Sequence, residues 1–363
     1  MKILIILPDL CGGGAERLNV NLATYWNNNG HIVEFFLMKN QGELLTLVDK
    51  NIKILSPNVA RIRNFILPIK RYLKDANPDV VLSAMWPLTS VTVLAWLLSG
   101  KQGKLFLSEH VILGISIANE LFLSFWLVRL SLIITYPLAT GIIAVSRSVK
   151  NDLCNFGKIS CNHIKVINNP VVTATSLSSV NDNKVWESGY DYRILSVGTL
   201  KIEKNYKSLI QAFSKIAKNY NAKLVILGNG SQRYELERLI LKLGLQDKVL
   251  LPGFVLDTGP WYNGADLFVL SSLWEGFGNV VVEALEYGVP VVSTDCGGPS
   301  EILNNGTYGM LVPIDSPNAL ADAMVKSLND SHDSDLLINR AQYFSVSRIS
   351  IKYLDYFSGK SKK

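Results

Sequence analysis

Glu275-Gly-Phe-Gly-Asn-Val-Val-Val-Glu283 sets two carboxylates eight positions apart, across the point where an apolar strand gives way to a helix. The strand is Leu267–Ser271, the turn carries Gly276, Phe277 and Gly278, and the helix starts at Asn279 and runs to Tyr287. Gly288 and Pro290 end it, and a second apolar strand follows at once. Unpaired N–H groups and the positive dipole end at the start of such a helix suit an anion such as phosphate. Glu275 precedes those donors, and Glu283 lies just over one turn inside, on the face that carries Asn279. One carboxylate near phosphates and another deeper in the site would suit a ligand with hydroxyls on both sides of a diphosphate, which describes a nucleotide sugar.

The same residues carry a resemblance. The form Glu-Gly-Phe-Gly-x-x-x-x-Glu-Ala resembles the signature of the family 4 retaining glycosyltransferases. That resemblance implies the GT-B fold, an α/β architecture of two Rossmann-like domains whose parallel sheets face across a cleft. On spacing alone, the bland alternative is an ordinary helix start with one solvated glutamate.

Bulk properties agree with two domains. The 363 residues exceed one ordinary core, and apolar strands alternate with helical patterns in both halves. Ile3–Leu7, Ile32–Leu37, Val80–Ala84, Lys104–Ser108 and Gly141–Val145 read as strands of the first half. Arg193–Val197, Ala222–Leu227, Lys248–Leu251, Leu267–Ser271 and Pro290–Ser293 read as strands of the second. The expected division is an acceptor-binding domain at 1–172, a polar linker at 173–190 and a nucleotide-sugar-binding domain at 191–335. A final helix at 336–363 is expected, by resemblance, to cross back to the first domain.

Four scattered cysteines (Cys11, Cys154, Cys161, Cys296) lack paired metal spacing and argue for a reducing compartment without disulfides. Residues 1–165 hold 17 Lys+Arg against 10 Asp+Glu, while the remainder holds 19 against 20. A basic first half suits an anionic lipid surface or anionic acceptor. A nucleic-acid partner is not expected, since no binding motif accompanies the charge. The acid-free stretch Leu121–Ile134 falls short of a membrane span. Arg129 sits centrally, at about 3 kcal/mol on insertion scales, and the segment lies between two sheet strands. A helix packed on the sheet or lying in a bilayer interface is expected instead, alongside the basic residues Arg61, Arg63, Lys70, Arg71 and Lys74.

Further site residues follow from glycine-rich turns and the resemblance together. Leu10-Cys-Gly-Gly-Gly-Ala-Glu-Arg17 ends the first strand in a turn that lets backbone approach a phosphate. It lacks both dinucleotide-binding and P-loop spacing; by resemblance Gly13 and Gly14 reach the donor diphosphate. In Gly198-Thr-Leu-Lys-Ile-Glu-Lys204, Lys204 matches a diphosphate-binding lysine, whereas Thr199 stands where the family often has arginine. Neutralisation of the phosphates then rests mainly on Lys204. Gly228 in Leu-Gly-Asn-Gly and Phe254–Val255 in Pro-Gly-Phe-Val resemble nucleotide-binding loops, although ordinary turn chemistry reads equally well there. Ser108-Glu109-His110 ends a strand, and by resemblance His110 meets the donor sugar at the reacting centre, with Asn169 lining the site.

The implied function is a metal-independent hexosyltransferase, needing no cofactor beyond its nucleotide-sugar donor. His110, Lys204 and Glu275 are the catalytic candidates. Gly13, Gly14, Thr199, Gly228, Phe254, Val255, Gly276, Phe277, Gly278, Asn279 and Glu283 are the donor-binding ones. A UDP-linked hexose or N-acetylhexosamine and a lipid-linked saccharide acceptor are expected, as in bacterial O-antigen, capsule or exopolysaccharide assembly. The expected location is the cytoplasm, peripherally at the inner face of the cytoplasmic membrane. A sugar-nucleotide epimerase of similar fold and an inactive sugar-nucleotide-binding partner subunit are the alternatives.

Overall fold

A computed structural model describes residues 1–11, 13–120, 125–171 and 185–360. The chain divides into two compact units, one of residues 1–172 and 344–363, the other of residues 173–343.

The first unit holds a seven-stranded sheet: β1 (Lys2–Leu7), β2 (Ile32–Leu37), β3 (Lys53–Leu55), β4 (Val80–Ala84), β5 (Lys104–Glu109), β6 (Gly141–Ala144) and β7 (Ile164–Val166). Every pairing is parallel and the order is β3-β2-β1-β4-β5-β6-β7. The central strands are buried on both faces, so they read as unbroken apolar runs rather than alternating ones. Helices α1 (Gly14–Asn28), α2 (Ile66–Ala76), α3 (Leu88–Leu98), α4 (Leu113–Glu120), α5 (Phe125–Thr135) and α6 (Arg147–Asn155) belong to this unit.

The second unit repeats the plan with β8 (Tyr192–Val197), β9 (Ala222–Leu227), β10 (Val249–Gly253), β11 (Leu267–Leu270), β12 (Val291–Thr294) and β13 (Met310–Val312). They form one parallel sheet in the order β10-β9-β8-β11-β12-β13. Its helices are α7 (Tyr206–Ile216), α8 (Arg233–Lys242), α9 (Gly259–Asn263), α10 (Asn279–Glu286), α11 (Gly298–Ile302), α12 (Pro317–Asn329) and α13 (Ser334–Ala341). In both sheets the chain winds outward one way and then returns to the other side of its first strand. The switch falls between β1 and β4 in one unit and between β8 and β11 in the other. Crevices at the carboxyl ends of such neighbouring strands are where open α/β sheets place ligands.

The structure departs from the sequence reading in three places. The stretch expected as one terminal helix is two: α13 packs on α10, and α14 (Val346–Ser358) packs on α1. The first unit therefore regains the chain at Phe344 rather than at 336. Apolar burial drives that return, since Trp26 of α1 sits against Tyr353 and Phe357, with ring centroids 5.9 and 5.7 Å apart. Secondly, residues 173–184 of the expected linker lie outside the described residues, but Trp186 is buried. Its indole donates to the Trp261 carbonyl at 3.1 Å. Thirdly, Cys154 and Cys161 are joined in a disulfide, against the expectation of free thiols. The turn after α6 brings their Cα atoms within 5.5 Å, a separation that bare residue spacing does not disclose.

Candidate active site

Lys204 and Glu275, 71 residues apart, meet because β8 and β11 are neighbours at the switch point. Lys204 ends a short turn after β8, and its ammonium pairs with Glu275 Oε1. Ser272 Oγ donates to the same oxygen at 2.9 Å. The backbone fixes both residues. Ser271 Oγ donates to the Lys204 carbonyl at 2.8 Å, and Leu273 N–H donates to the Glu203 carbonyl at 2.7 Å. On its other side Glu275 bridges to the loop after β12: its N–H donates to the Cys296 carbonyl at 2.9 Å, and its carbonyl accepts from Gly298 N–H at 3.2 Å. Burial opposes the charge on Lys204, but the Glu275 carboxylate beside it outweighs that cost and holds the ammonium above the usual lysine range. It is a full cation at neutral pH.

Gly276 to Gly278 turn the chain into α10. Gly278 stands at the helix start with φ +95° and ψ 58°, a left-handed conformation that costs an L-residue about 1–2 kcal/mol. Gly278→Ala is therefore expected to lower the unfolding free energy of the second unit by about 1–2 kcal/mol in urea titration; an unchanged midpoint would mean that the turn relaxes. Phe277 is buried beneath this turn, and Asn279 opens the helix.

Glu283 sits one turn further along α10, half-buried, and its Oε2 accepts from Tyr262 OH at 2.9 Å. Tyr262 is buried and stacks on Tyr287, with centroids 5.6 Å apart. Burial, reinforced by the Glu283 carboxylate, pushes the Tyr262 phenol well above its ordinary value, so it stays a donor. The sequence reading missed Tyr262, which lies on the short helix α9 and carries no motif. Burial, and then Glu283, also push the neighbouring Glu286 carboxyl up to about 8.

The remaining residues expected in the second unit end adjacent strands. Gly228 follows β9 at φ +142°, where an added Cβ would lie 2.0 Å from the Gly198 carbonyl oxygen. Phe254 and Thr199 are exposed, and Val255 is half-buried, beyond β10 and β8. Gly228, Phe254, Lys204 and Glu275 thus lie past the carboxyl ends of β9, β10, β8 and β11 of one sheet.

In the first unit, Gly13 caps α1 and Gly14 is its first residue, in the loop that leaves β1 at the switch point. His110 follows β5, and its Nε2 lies 3.0 Å from Ser108 Oγ. Burial pulls its pKa down to about 4 against an opposing contribution from the Asn169 side chain, which the structure brings beside it. The imidazole is neutral at pH 7, so it acts as a hydrogen-bonding group and not as a cation. Its neighbour Glu109 is fully buried. Glu109 Oε1 accepts from Thr89 Oγ1 at 3.1 Å and from Tyr136 OH.

Burial pushes the Glu109 carboxyl up to about 7, with the Tyr136 and Thr89 bonds opposing it. A raised acid contributes stability that is complete below its unfolded value near 4.5 and is lost as pH rises through about 7. The stability of the parent relative to Glu109→Gln is therefore expected to decline between about pH 5 and 8. Parallel unfolding curves over that range would contradict it.

Among the described residues no group of three or more His, Cys, Asp or Glu side chains could hold a metal ion. No helix among them is long and apolar enough to cross a membrane.

Two such units define a GT-B type of protein, and comparison with solved structures agrees. The chain superposes on Anabaena HepE in complex with UDP with a TM-score of 0.83 at 21% identity, covering 99% of this chain and 100% of that one. It superposes on the lipopolysaccharide outer core galactosyltransferase WaaB with a TM-score of 0.76 at 21% identity, over 99% and 100% of the two chains. The glycosyl transferases group 1 model matches residues 181–344, and the glycosyltransferase family 4 model matches residues 12–175. The chain belongs to the family 4 glycosyltransferases.

Among its relatives, an uncharacterized glycosyltransferase of Methanocaldococcus jannaschii is 34% identical over 55% of this chain and 54% of its own, so the match spans about half its length. The amylovoran biosynthesis glycosyltransferase AmsD of Erwinia amylovora is 26% identical over 85% of each chain. A Campylobacter jejuni α-1,4-N-acetyl-D-galactosaminyltransferase named for a diphospho-undecaprenol-linked saccharide is 26% identical over 98% of this chain and 97% of its own.

Proposed function

We propose that the chain is a retaining glycosyltransferase that moves a hexose or N-acetylhexosamine from a UDP-sugar to a lipid-linked oligosaccharide in bacterial surface polysaccharide synthesis. The observation that carries this reading is the buried Lys204–Glu275 pair at the β8–β11 switch point, with Glu283 one turn into the following helix. Lys204 and the N–H groups at the start of α10 stabilise the charge that develops on the leaving diphosphate, the main electrostatic contribution in such a reaction. Glu275 holds sugar hydroxyls with the Gly276–Gly278 backbone, and Glu283, oriented by Tyr262, accepts from the ribose hydroxyls. Thr199 and Gly228 give close side-chain or backbone approach to the phosphates, and Phe254 and Val255 meet the base.

On the first unit, His110, neutral at pH 7, is available to hydrogen-bond a sugar hydroxyl. The acceptor hydroxyl attacks the face from which the diphosphate departs and passes its proton to a departing phosphate oxygen, so the anomeric configuration is kept. Lys204 supplies the positive charge in this account, and the reaction proceeds without a metal. The lipid-linked acceptor is supported by the names of relatives such as the Campylobacter enzyme, and by the basic first unit. It places the protein in the cytoplasm against the inner face of the cytoplasmic membrane.

The test is turnover of a panel of UDP- and GDP-sugars, with and without membrane lipid extract, in EDTA. Extract-dependent release of UDP that survives EDTA is the expected result. Conversion of one donor to its epimer without extract, or binding of donors without turnover of any, would overturn the reading.

A further inference from the structure

Helix α5 lacks the polar outer face of an ordinary surface helix. Its inner side is buried through Val128 and Leu132, and it is tied to α3 by Thr135 Oγ1 to Ser90 Oγ at 3.1 Å. Its outer side is apolar. Trp126 and Leu127 are each 69% exposed, Leu130 is 53% and Ile134 is 54% exposed. A helix seated on a sheet and facing water normally carries charged or polar side chains there. The apolar surface extends to α3, where Leu94 and Leu98 are also exposed.

Charge around this surface is mostly positive, with Asp75 of α2 the exposed acid beside Arg71 and Lys74. Residues 121–140 and α3 contain no Asp or Glu, and α3 carries no charge at all. The one cation of α5, Arg129, has its guanidinium over the Trp126 ring, 5.5 Å from the centroid. Helix α3 packs against α5 and also against α2, whose exposed Arg71 and Lys74 follow the exposed Arg61 and Arg63 of the preceding turn.

We propose that this face of the first unit docks on an anionic phospholipid bilayer. The outer side chains of α5 enter the boundary between headgroups and acyl chains, and the arginines and lysines of the α2 region meet lipid phosphates. A second copy of the chain fits the face less well, because a two-fold contact of the patch with itself would set its cations against one another. The proposal deepens the lipid-acceptor reading, but it stands on α5 and α2 and not on the sugar-nucleotide residues.

The test is co-sedimentation of the full chain with vesicles of phosphatidylcholine, alone or with added phosphatidylglycerol. Binding should require the anionic lipid and weaken with salt. The double variant Leu130→Ser, Ile134→Ser should lower partitioning by about tenfold or more. Arg71→Gln and Lys74→Gln should each lower it by roughly fivefold at low salt. Because all four side chains are solvent-facing or rim positions, thermal melts should match the parent, and UDP binding should be unchanged. Vesicle binding unaffected by these substitutions would overturn the proposal. So would a parent chain that ignores anionic vesicles, including one that forms a dimer dispersed by the Leu130/Ile134 change. Loss of UDP binding in the parent would instead count against the donor-site reading and leave vesicle binding to be scored separately.

Discussion

Replacing Lys204 by alanine is expected to lower sugar-transfer turnover by about 10²–10³-fold, the effect of removing one preorganised charge stabiliser from a developing anion. The magnitude follows from how the site is charged. In the proposed site Thr199 stands where the family resemblance implies a second cation and offers only a hydroxyl, so a bound diphosphate would rely on one ammonium and on helix N–H groups. Lys204 is held protonated by Glu275 and most of its side chain is out of water, which makes its field count for more than that of a surface lysine. Arginine at 204 restores charge but not shape, because a planar fork replaces a compact point charge in a nearly closed space; partial recovery is expected. Steady-state kinetics with the donor found in the panel reads the effect. A loss of only a few-fold would mean that the charge is dispensable and that the backbone carries the phosphates.

Glu275→Ala acts on the same pair from the other side, and its first consequence is on stability. The variant leaves the Lys204 ammonium, with a side chain only 17% exposed, without its carboxylate. Breaking a pair buried to this degree costs about 3 kcal/mol, and Ser272 loses its acceptor as well. The second consequence is linked to ligand. A bound diphosphate returns a negative charge to Lys204, so UDP should raise the melting temperature of Glu275→Ala by more than it raises that of the parent. Transfer should remain defective even when UDP restores stability, because the sugar hydroxyls have lost their acceptor. Differential scanning calorimetry with and without UDP separates the two effects. Equal UDP-induced shifts in the two proteins would show that the ligand does not reach the Lys204 charge.

Much of this arrangement was legible in the chain because the decisive residues sit where regular elements end. The strands flanking Glu275 are continuous apolar runs, and the glycines between them announce a turn, so both the helix and its carboxylates could be placed. The pairing of Lys204 with Glu275 was not legible from spacing. It depends on β8 lying beside β11, a long-range fact of sheet order. Strands β3, β7 and β13 were missed for a simpler reason: three residues at or near a sheet edge are too few to show a pattern. Tyr262 is identified only by what it touches, since an aromatic residue on a five-residue helix carries no signal of a polar role.

The two terminal helices read as one because their apolar positions run on through Gln342–Phe344, where the chain changes units. Burial decides the rest. Glu109 reads as a plain strand-end acid beside His110, but full enclosure and the Tyr136 and Thr89 contacts make it a proton-holding group near neutrality. The apolar stretch around Arg129 was placed correctly between β5 and β6, although only the solvent exposure of α5 shows which way its apolar side chains face.

UDP is expected to bind at the β8–β11 switch point, where Lys204 pairs with Glu275 and Glu283 lies one turn into α10. Titration calorimetry of UDP into the parent, Lys204→Ala and Glu283→Ala tests it most directly. Saturable binding by the parent is expected, with each substitution weakening it by about tenfold or more through the loss of a charged hydrogen-bond partner. Equal affinity of all three proteins for UDP would place the nucleotide elsewhere and contradict the account.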